Sequence, residues 1–282
     1  MTSDPDSLST RSFSRLAALI EDYSGIAMPA NKKTLMEGRL RRRARALGLP
    51  SLDDYCRALF EGGRLEGEVV HLIDAVTTNK TDFFREQGHF RFLTETALPG
   101  LMTAAPRAGL DRPFKVWSAA CSIGAEPYSV AMVVNEFSSG IRGFRFSVLG
   151  TDISSEVLAI ALEAIYPWDM ITPFGDAMRR RYALRSRDPN RPCFRIAPVI
   201  RSKVQFARLN LMDDHYPLED DWDVIFCRNI LIYFERPVQF RVVERLVSHL
   251  RPGGYLFLGH SEGVAGFSLP LRPVAHSIFQ KL

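Results

Sequence analysis

The first 76 residues carry apolar positions at three- and four-residue spacing, which is the pattern of amphipathic helices. One stripe runs over residues 13–20, and a second over 36–47 ends at Gly48 and Pro50. A capping signal at Ser51 opens a third helix, and residues 69–76 form a fourth stripe. Because no strand pattern interrupts these stripes, the pattern predicts a helical domain over residues 1–76.

From residue 77 onward, short apolar strands alternate with amphipathic helices. Strands are predicted at 114–118, 145–150, 203–207, 222–227, 255–259 and 277–281. Alternation of this kind is typical of a doubly wound parallel sheet. Residues 179–203 fit no strand–helix unit, and their turn and short alternating run predict a small antiparallel β insertion. The predicted fold class is α/β over residues 77–282, with this insertion and the N-terminal helical domain.

Three predicted strands end in polar residues: Glu126 follows the first, Asp152 ends the second, and Arg228 with Asn229 follows the fourth. The carboxyl ends of the strands form the ligand site in an open α/β sheet. The first loop holds only Gly124, so it lacks the glycine-rich cradle of dinucleotide sites, and an ordinary tight turn is the alternative. Asp152 is placed to accept ribose hydroxyls or, alternatively, to cap a helix. Together these ends favour a nucleoside-type ligand without a pyrophosphate.

Two further segments carry polar residues suited to the same ligand. Asn210 and Leu211 follow the third strand, a usual place for contacts to an adenine edge, although a lone asparagine is also ordinary turn chemistry. In residues 77–85 (TTNKTDFFR), two phenylalanines anchor the segment and leave Asn79, Thr81 and Arg85 able to face a ligand. Arg85 could orient a carboxylate through paired hydrogen bonds, and a surface arginine is the alternative.

Composition narrows the function classes. The net charge is +4, from 36 basic and 32 acidic residues, which does not demand a nucleic-acid partner. Residues 31–47 are nevertheless strongly basic, and Arg39, Arg42 and Arg43 share one face of the predicted helix. The four cysteines and six histidines show no zinc-binding or disulfide spacing, so no metal is expected. No apolar run approaches the roughly 18 residues that span a membrane, and a cytoplasmic protein is expected.

Read together, the motifs resemble those of the CheR family of chemoreceptor methyltransferases. The resemblance follows the chain in order through residues 77–85, 118–128 (SAACSIGAEPY), 150–153 (GTDI), 210–211, 226–234 (FCRNILIYF) and 259–262 (GHSE). It implies a Rossmann-like class I methyltransferase sheet and S-adenosylmethionine as cofactor, with S-adenosylhomocysteine as product. It implies cofactor contacts from Asn79, Thr81, Arg85, Glu126, Asp152, Asn210, Leu211, Arg228 and Asn229, with Arg85 and Tyr233 closest to the reacting methyl group.

The resemblance also implies the substrate, specific glutamate side chains in the cytoplasmic helical region of chemoreceptors. Arg39, Arg42 and Arg43 are the predicted docking face for that acidic helical bundle, and a solvated basic face is the alternative. A monomer is expected, without nucleic acid or membrane insertion. Residues 187–193 (RDPNRPC) have no glycine where some family members grip a receptor pentapeptide, which favours a pentapeptide-independent enzyme. The alternatives are a nucleic-acid methyltransferase and a cofactor-binding regulator without catalysis.

Overall fold

Four helices form the N-terminal part of the computed structural model, which describes residues 7–77 and 80–282. They are α1 Thr10–Ser24, α2 Lys33–Ala46, α3 Leu52–Phe60 and α4 Leu65–Val76, with a short 3-10 helix at Ala30–Lys32. The Ser51 hydroxyl accepts a hydrogen bond from the Asp54 N–H, which confirms the predicted cap of α3. Helix α1 ends at Gly25, whose φ is 73° and whose added Cβ would lie 2.7 Å from Met212 Sδ. Only glycine therefore allows this turn to pack against the second part of the chain.

The remaining residues form the predicted α/β fold. A continuous helical segment comprises α5 Gln87–Phe92, a π-helical turn Leu93–Ala97 and α6 Leu98–Thr103. The later helices are α7 Ala125–Ser138, α8 Ser155–Glu163, α9 Asp176–Tyr182, α10 Pro198–Arg201 and α11 Arg236–His249, with 3-10 turns at Trp168–Ile171 and Leu231–Tyr233. The strands are β1 Phe114–Ala119, β2 Phe146–Asp152, β3 Ile165–Pro167, β4 Ala183–Arg185, β5 Cys193–Ile196, β6 Val204–Arg208, β7 Trp222–Cys227, β8 Leu250–Leu258, β9 Leu271–Ala275 and β10 Ile278–Lys281.

Seven strands form the main sheet in the order β6-β2-β1-β7-β8-β10-β9. The first five run parallel, and β10 pairs antiparallel with both β8 and β9. The mostly parallel sheet predicted from strand–helix alternation is confirmed. Strand β9 was missed, because its residues are largely exposed and Pro273 weakens the strand signal.

A second, three-stranded antiparallel sheet has the order β3-β5-β4. Two of its strands, β4 and β5, lie within the predicted insertion at 179–203. Its other strand, β3, lies before that range and was not predicted, because three residues are too few to show an alternating pattern.

The main sheet is covered on both faces. Trp117 and Ala119 of β1 point into an apolar cluster shared with α11 and the N-terminal helices, while Phe114 and Val116 point into a cluster shared with α5–α7 and the antiparallel sheet. Alternate side chains of a strand project to opposite faces, which is why one short strand serves both cores. The N-terminal helices are thereby fixed against the sheet. Among the described residues, no helix is both long and apolar enough to cross a bilayer.

Candidate functional site

A cavity of about 290 Å³ lies at the carboxyl ends of the parallel strands. It sits at β1, where the order of the strands reverses: β2 and β6 lie on one side of β1, and β7 and β8 lie on the other. Such a switch point is where open α/β sheets bind their ligands. The volume is near the lower end of the roughly 300–1,000 Å³ of small-molecule pockets.

The loop after β1 forms the floor of the cavity with small residues. Ala120 and Ser122 adopt left-handed φ angles of 57° and 52°, and Gly124 follows at 85°. A Cβ at Gly124 would lie 2.8 Å from the Ala161 Cβ of α8, so only glycine allows this close packing. The loop is a tight turn without a phosphate cradle, in agreement with the sequence pattern.

Asp152 lies buried at the end of β2. Its Oδ2 accepts the Ser122 N–H at 2.8 Å and its Oδ1 accepts the Ser154 N–H at 3.0 Å. Helix α8 is capped instead by the Ser154 hydroxyl, which accepts the Val157 N–H. Burial raises the pKa of Asp152 despite the N–H donors that favour its charge. Because each ionised oxygen has two lone-pair sites, acceptor capacity remains for a pair of hydroxyls.

Arg228 was predicted as a direct ligand contact, and the structure shows that protein partners engage its guanidinium. The side chain is only 2% exposed and pairs with Glu86 at 2.9 Å and Glu126 at 3.0 Å. It also donates to the Arg85 carbonyl oxygen. Burial raises the pKa of Glu126, even though Arg228 and the Ser118 hydroxyl favour its ionised form. Arg228 lines the cavity, and it also fixes Glu126 and the backbone of Arg85.

The backbone around Arg85 is held in an unusual conformation. Phe84 and Glu86, which flank it, have left-handed φ angles of 53° and 60°. Phe83 is buried against the rings of Tyr166 and Phe174, and this packing anchors the segment. Residues in such sparsely populated conformations cluster at functional sites. The exposed Arg85 side chain is thus presented at the cavity by a rigid support.

Glu262 supports the site from outside the cavity, and the sequence analysis did not single it out, although it lies in the quoted 259–262 motif. Its Oε2 accepts the N–H groups of Asn229 at 2.8 Å and Gly259 at 2.7 Å, and its Oε1 accepts the Ile232 N–H at 3.2 Å. These bonds hold the turn after β7, where Asn229 has a φ of 59°. A carboxylate that follows a glycine at a strand end was the signal available.

The N-terminal part closes one side of the cavity. The side-chain amide of Asn210 donates to the Tyr23 carbonyl oxygen at 2.6 Å, and its oxygen accepts the Met212 N–H. The Ala27 N–H donates to the Tyr233 carbonyl oxygen at 3.0 Å, and Lys32 Nζ lies 5.7 Å from the centre of the Tyr233 ring. The helical domain is therefore part of the ligand site, which sequence patterns did not reveal.

The structure brings most of the predicted site residues to this one cavity. Those that line it are Thr81, Arg85, Glu126, Asp152, Asn210, Leu211, Arg228, Asn229 and Tyr233. Asn79 lies outside the described residues.

The predicted docking arginines lie elsewhere, on α2, and they do not form one open face. Arg43 makes a bidentate pair with the buried Glu68 at 2.6 and 2.7 Å, and Arg39 donates to the carbonyl oxygens of Val76 and Thr77. Among these three, Arg42 is exposed, whereas Arg39 and Arg43 are partly buried. Helical spacing does not show which neighbours satisfy a charge, and the role of these three arginines in docking stays a prediction.

Fold and cavity together define an α/β protein with a small-molecule cavity at a topological switch point of its sheet. Its sequence matches the CheR methyltransferase SAM-binding domain over residues 79–277 and the CheR methyltransferase all-alpha domain over residues 11–77. The chain belongs to the CheR methyltransferase family, and its cofactor is S-adenosylmethionine. This membership does not favour the nucleic-acid methyltransferase and regulator alternatives.

Two relatives illustrate the similarity. The chemotaxis protein methyltransferase of Borreliella burgdorferi is 35% identical over 254 residues, which cover 90% of this chain and 88% of the relative. The chemotaxis protein methyltransferase of Escherichia coli is 37% identical over 255 residues, covering 90% and 85%. A solved structure, the glycopeptide N-methyltransferase MtfA, is similar over 68% of this chain and 59% of its own at 14% identity and a TM-score of 0.35, too distant to add to the assignment.

Proposed function

We propose that this protein transfers the methyl group of S-adenosylmethionine to glutamate side chains of chemoreceptors, giving methyl esters for sensory adaptation. The observation that carries the proposal is the composition of the cavity. It combines Arg85 and Tyr233 with the strand-end carboxylates, and its described lining residues include no histidine. A glutamate carboxylate is ionised at neutral pH and needs no base to become a nucleophile. An amine acceptor would have to lose a proton first.

The chain's own residues then have alignment and exclusion of water as their tasks. Bound S-adenosylmethionine supplies an electrophilic methyl group. Asp152 would hold the ribose hydroxyls through its remaining lone pairs, and Arg85 would orient a carboxylate, either the acceptor's or the cofactor's. Tyr233, which lines the cavity, would flank the path of the methyl group. Alignment alone can contribute roughly 7–11 kcal/mol in the best intramolecular cases.

Selection among glutamates is proposed to come from the basic helix α2. Arg42 is the exposed member of its predicted face and is suited to an acidic, helical receptor region in the cytoplasm. Arg39 and Arg43 support this surface from within, because their guanidinium groups join α2 to α4. We propose that the protein acts as a monomer.

The antiparallel insertion is proposed to work without a receptor pentapeptide. The connection between β4 and β5 contains Pro189 and Pro192 and no glycine. Backbone that must approach a peptide closely favours glycine, whereas proline lacks the N–H needed for strand-like pairing. A receptor fragment with its last five residues removed should therefore be methylated at the same rate as the intact fragment.

The experiment that tests the proposal is methyl transfer from labelled S-adenosylmethionine to a receptor cytoplasmic fragment, followed by mild alkali. Label released as methanol is the expected result and identifies a carboxyl ester. Alkali-stable label would place the acceptor on nitrogen or carbon and overturn the proposal. Arg85→Ala should abolish transfer, while Arg91→Ala, an exposed arginine on α5, is the matched control and should leave it unchanged.

A further inference from the structure

The opening of the cofactor cavity carries charged side chains that the contacts described so far do not use. Lys80 and Asp82 line the cavity, as Arg85 does, and all three residues are exposed. They belong to one short stretch of chain, which the buried Phe83 anchors through its ring contacts. Exposed residues that line a cavity stand at its opening. These three residues are therefore a charged rim that a ligand passes on its way in.

Two other cations line the cavity, and protein groups already bind both. The guanidinium of Arg228 is held by two carboxylates and a carbonyl oxygen. Lys32 Nζ donates to the Ala27 carbonyl oxygen at 3.0 Å. Among the residues that the structure describes, by contrast, no group forms an ion pair or a side-chain hydrogen bond with Lys80 or with the guanidinium of Arg85. The rim thus holds the two cations that remain for ligands.

The proposed reaction brings three ionic groups to the cavity besides the sulfonium. S-adenosylmethionine has an ammonium and a carboxylate at its methionine end, and the acceptor glutamate is a second carboxylate. The charged rim offers the carboxylate of Asp82 and the two cations Lys80 and Arg85. Each ionic group of the ligands then has a partner of opposite charge only if the two ligand carboxylates bind to different cations.

The chemistry of the two cations decides which carboxylate each one suits. Arg85 offers a planar fork of N–H donors that binds both oxygens of a carboxylate at once. Its backbone is held by Arg228 and by the packing of Phe83. A rigid two-point contact suits the cofactor's carboxylate, which keeps its charge throughout the reaction. Lys80 is a point charge on a flexible stem, so it can bind one oxygen and leave the other free to attack.

We propose that Lys80 binds the carboxylate of the acceptor glutamate at the opening of the cavity. The inference rests on the proposed function and names a substrate-binding residue for it. In the reaction a carboxylate oxygen bonds to the methyl carbon, and the carbon–sulfur bond breaks with its electron pair left on sulfur. The products are a neutral ester and a neutral thioether. Because the ester carries no charge, the contact that favours entry of the substrate no longer retains the product.

The test compares the kinetics of Lys80→Met with its cofactor affinity. In steady-state methylation of a receptor cytoplasmic fragment, the KM for the fragment should rise about three- to tenfold, as for loss of one charged contact near solvent. The kcat, and the affinity for S-adenosylmethionine in calorimetry, should stay within about twofold, because only binding of the acceptor is weakened. Lys80→Arg keeps the charge and should restore most of the loss.

Lys203→Met is the matched control. Lys203 precedes β6 and so lies at the amino end of the parallel strands, opposite the cavity. This variant makes the same chemical change and should leave the KM, the kcat and the cofactor affinity unchanged.

A second measurement checks that the contact is with the charge of the acceptor. Glutamine is a neutral side chain of the same shape as glutamate, so a fragment with glutamine at the labelled positions lacks only that charge. Lys80→Met should weaken binding of the glutamate fragment and leave binding of the glutamine fragment unchanged. An equal loss for both fragments would show that Lys80 does not contact the acceptor carboxylate.

Two kinetic results would also overturn the inference. One is a KM for the fragment that is the same in Lys80→Met and Lys203→Met. The other is a loss of S-adenosylmethionine affinity in Lys80→Met with an unchanged KM for the fragment, which would place the cofactor's carboxylate on Lys80. Failure of the proposed function is a different result, because the unaltered protein would then give no alkali-labile label.

Discussion

Glu262→Gln is the substitution that most directly tests how the turn after β7 is held. The change keeps the size of the side chain and removes its charge. The glutamine carbonyl can replace Oε2, which accepts from Asn229 and Gly259, but its NH₂ group then faces the Ile232 N–H at 3.2 Å. Two charge-assisted hydrogen bonds become neutral ones, and a third is replaced by two opposed donors.

The expected loss follows from the difference between these kinds of bond. A hydrogen bond to a charged group contributes about 1.5–3 kcal/mol and a neutral one about 0.5–1.5 kcal/mol. By these figures each of the two weakened bonds loses about 1–1.5 kcal/mol and the lost bond about 1.5–3 kcal/mol, so the fold should be destabilised by about 3.5–6 kcal/mol. Because Asn229 and Ile230 line the cavity, a loosened turn should also weaken S-adenosylmethionine binding, by up to about 30-fold if 2 kcal/mol is spent on reordering it.

The assay combines denaturant unfolding with isothermal titration calorimetry of cofactor binding. Glu235→Gln is the matched control. Glu235 is exposed, lies just after the same turn and makes no side-chain cap hydrogen bond to α11. This control should change the free energy of unfolding by less than about 0.5 kcal/mol. If Glu262→Gln unfolds at the same denaturant concentration as this control and binds the cofactor equally well, the three hydrogen bonds do not restrain the turn and the reasoning fails.

Three further predictions follow from the buried charges. Arg228→Met leaves the carboxylates of Glu86 and Glu126 without their cation and should lower the free energy of unfolding by about 3–5 kcal/mol. Adding Glu126→Gln to this variant should restore at least about 1 kcal/mol, because one of the two unpaired charges is then removed. If denaturant unfolding shows that the losses of the two substitutions simply add, the two residues are not coupled. Burial raises the pKa of Asp152, whereas hydrogen bonds from the cofactor's hydroxyls favour the ionised carboxylate. The affinity for the cofactor, measured by calorimetry, should therefore fall as the solution is acidified through that pKa, and binding there should release a proton. An Asp152→Asn variant should lose this pH dependence. Arg42→Ala should slow receptor methylation and lower the free energy of unfolding by less than about 0.5 kcal/mol. Arg43→Ala should lower the free energy of unfolding by about 2–4 kcal/mol, because the buried Glu68 carboxylate loses its partner. If the two variants are equally stable in denaturant or thermal unfolding, the Arg43–Glu68 pair does not stabilise the fold.

Much of the fold could be predicted from the local pattern of apolar and polar residues. Strand β7 was predicted with its observed bounds, and β1, β2 and β6 within two residues, because each is an apolar run bounded by polar or small residues. Strands β3 and β9 were not, since one is three residues long and the other contains proline and faces solvent. Short and exposed strands are stabilised by their neighbours in the sheet and leave little trace in their own sequence.

The sequence by itself determined where polar residues interrupt the apolar strands, and with them the chemistry available at the cavity. Only the tertiary structure decided which partner each polar group has. Arg228 is satisfied by Glu86 and Glu126, 142 and 102 positions away, and Asn210 by the backbone of Tyr23, 187 positions away. Hydrogen bonds and ion pairs depend on separations of a few ångströms, and residues this distant along the chain are brought together only by packing of the helical domain and sheet.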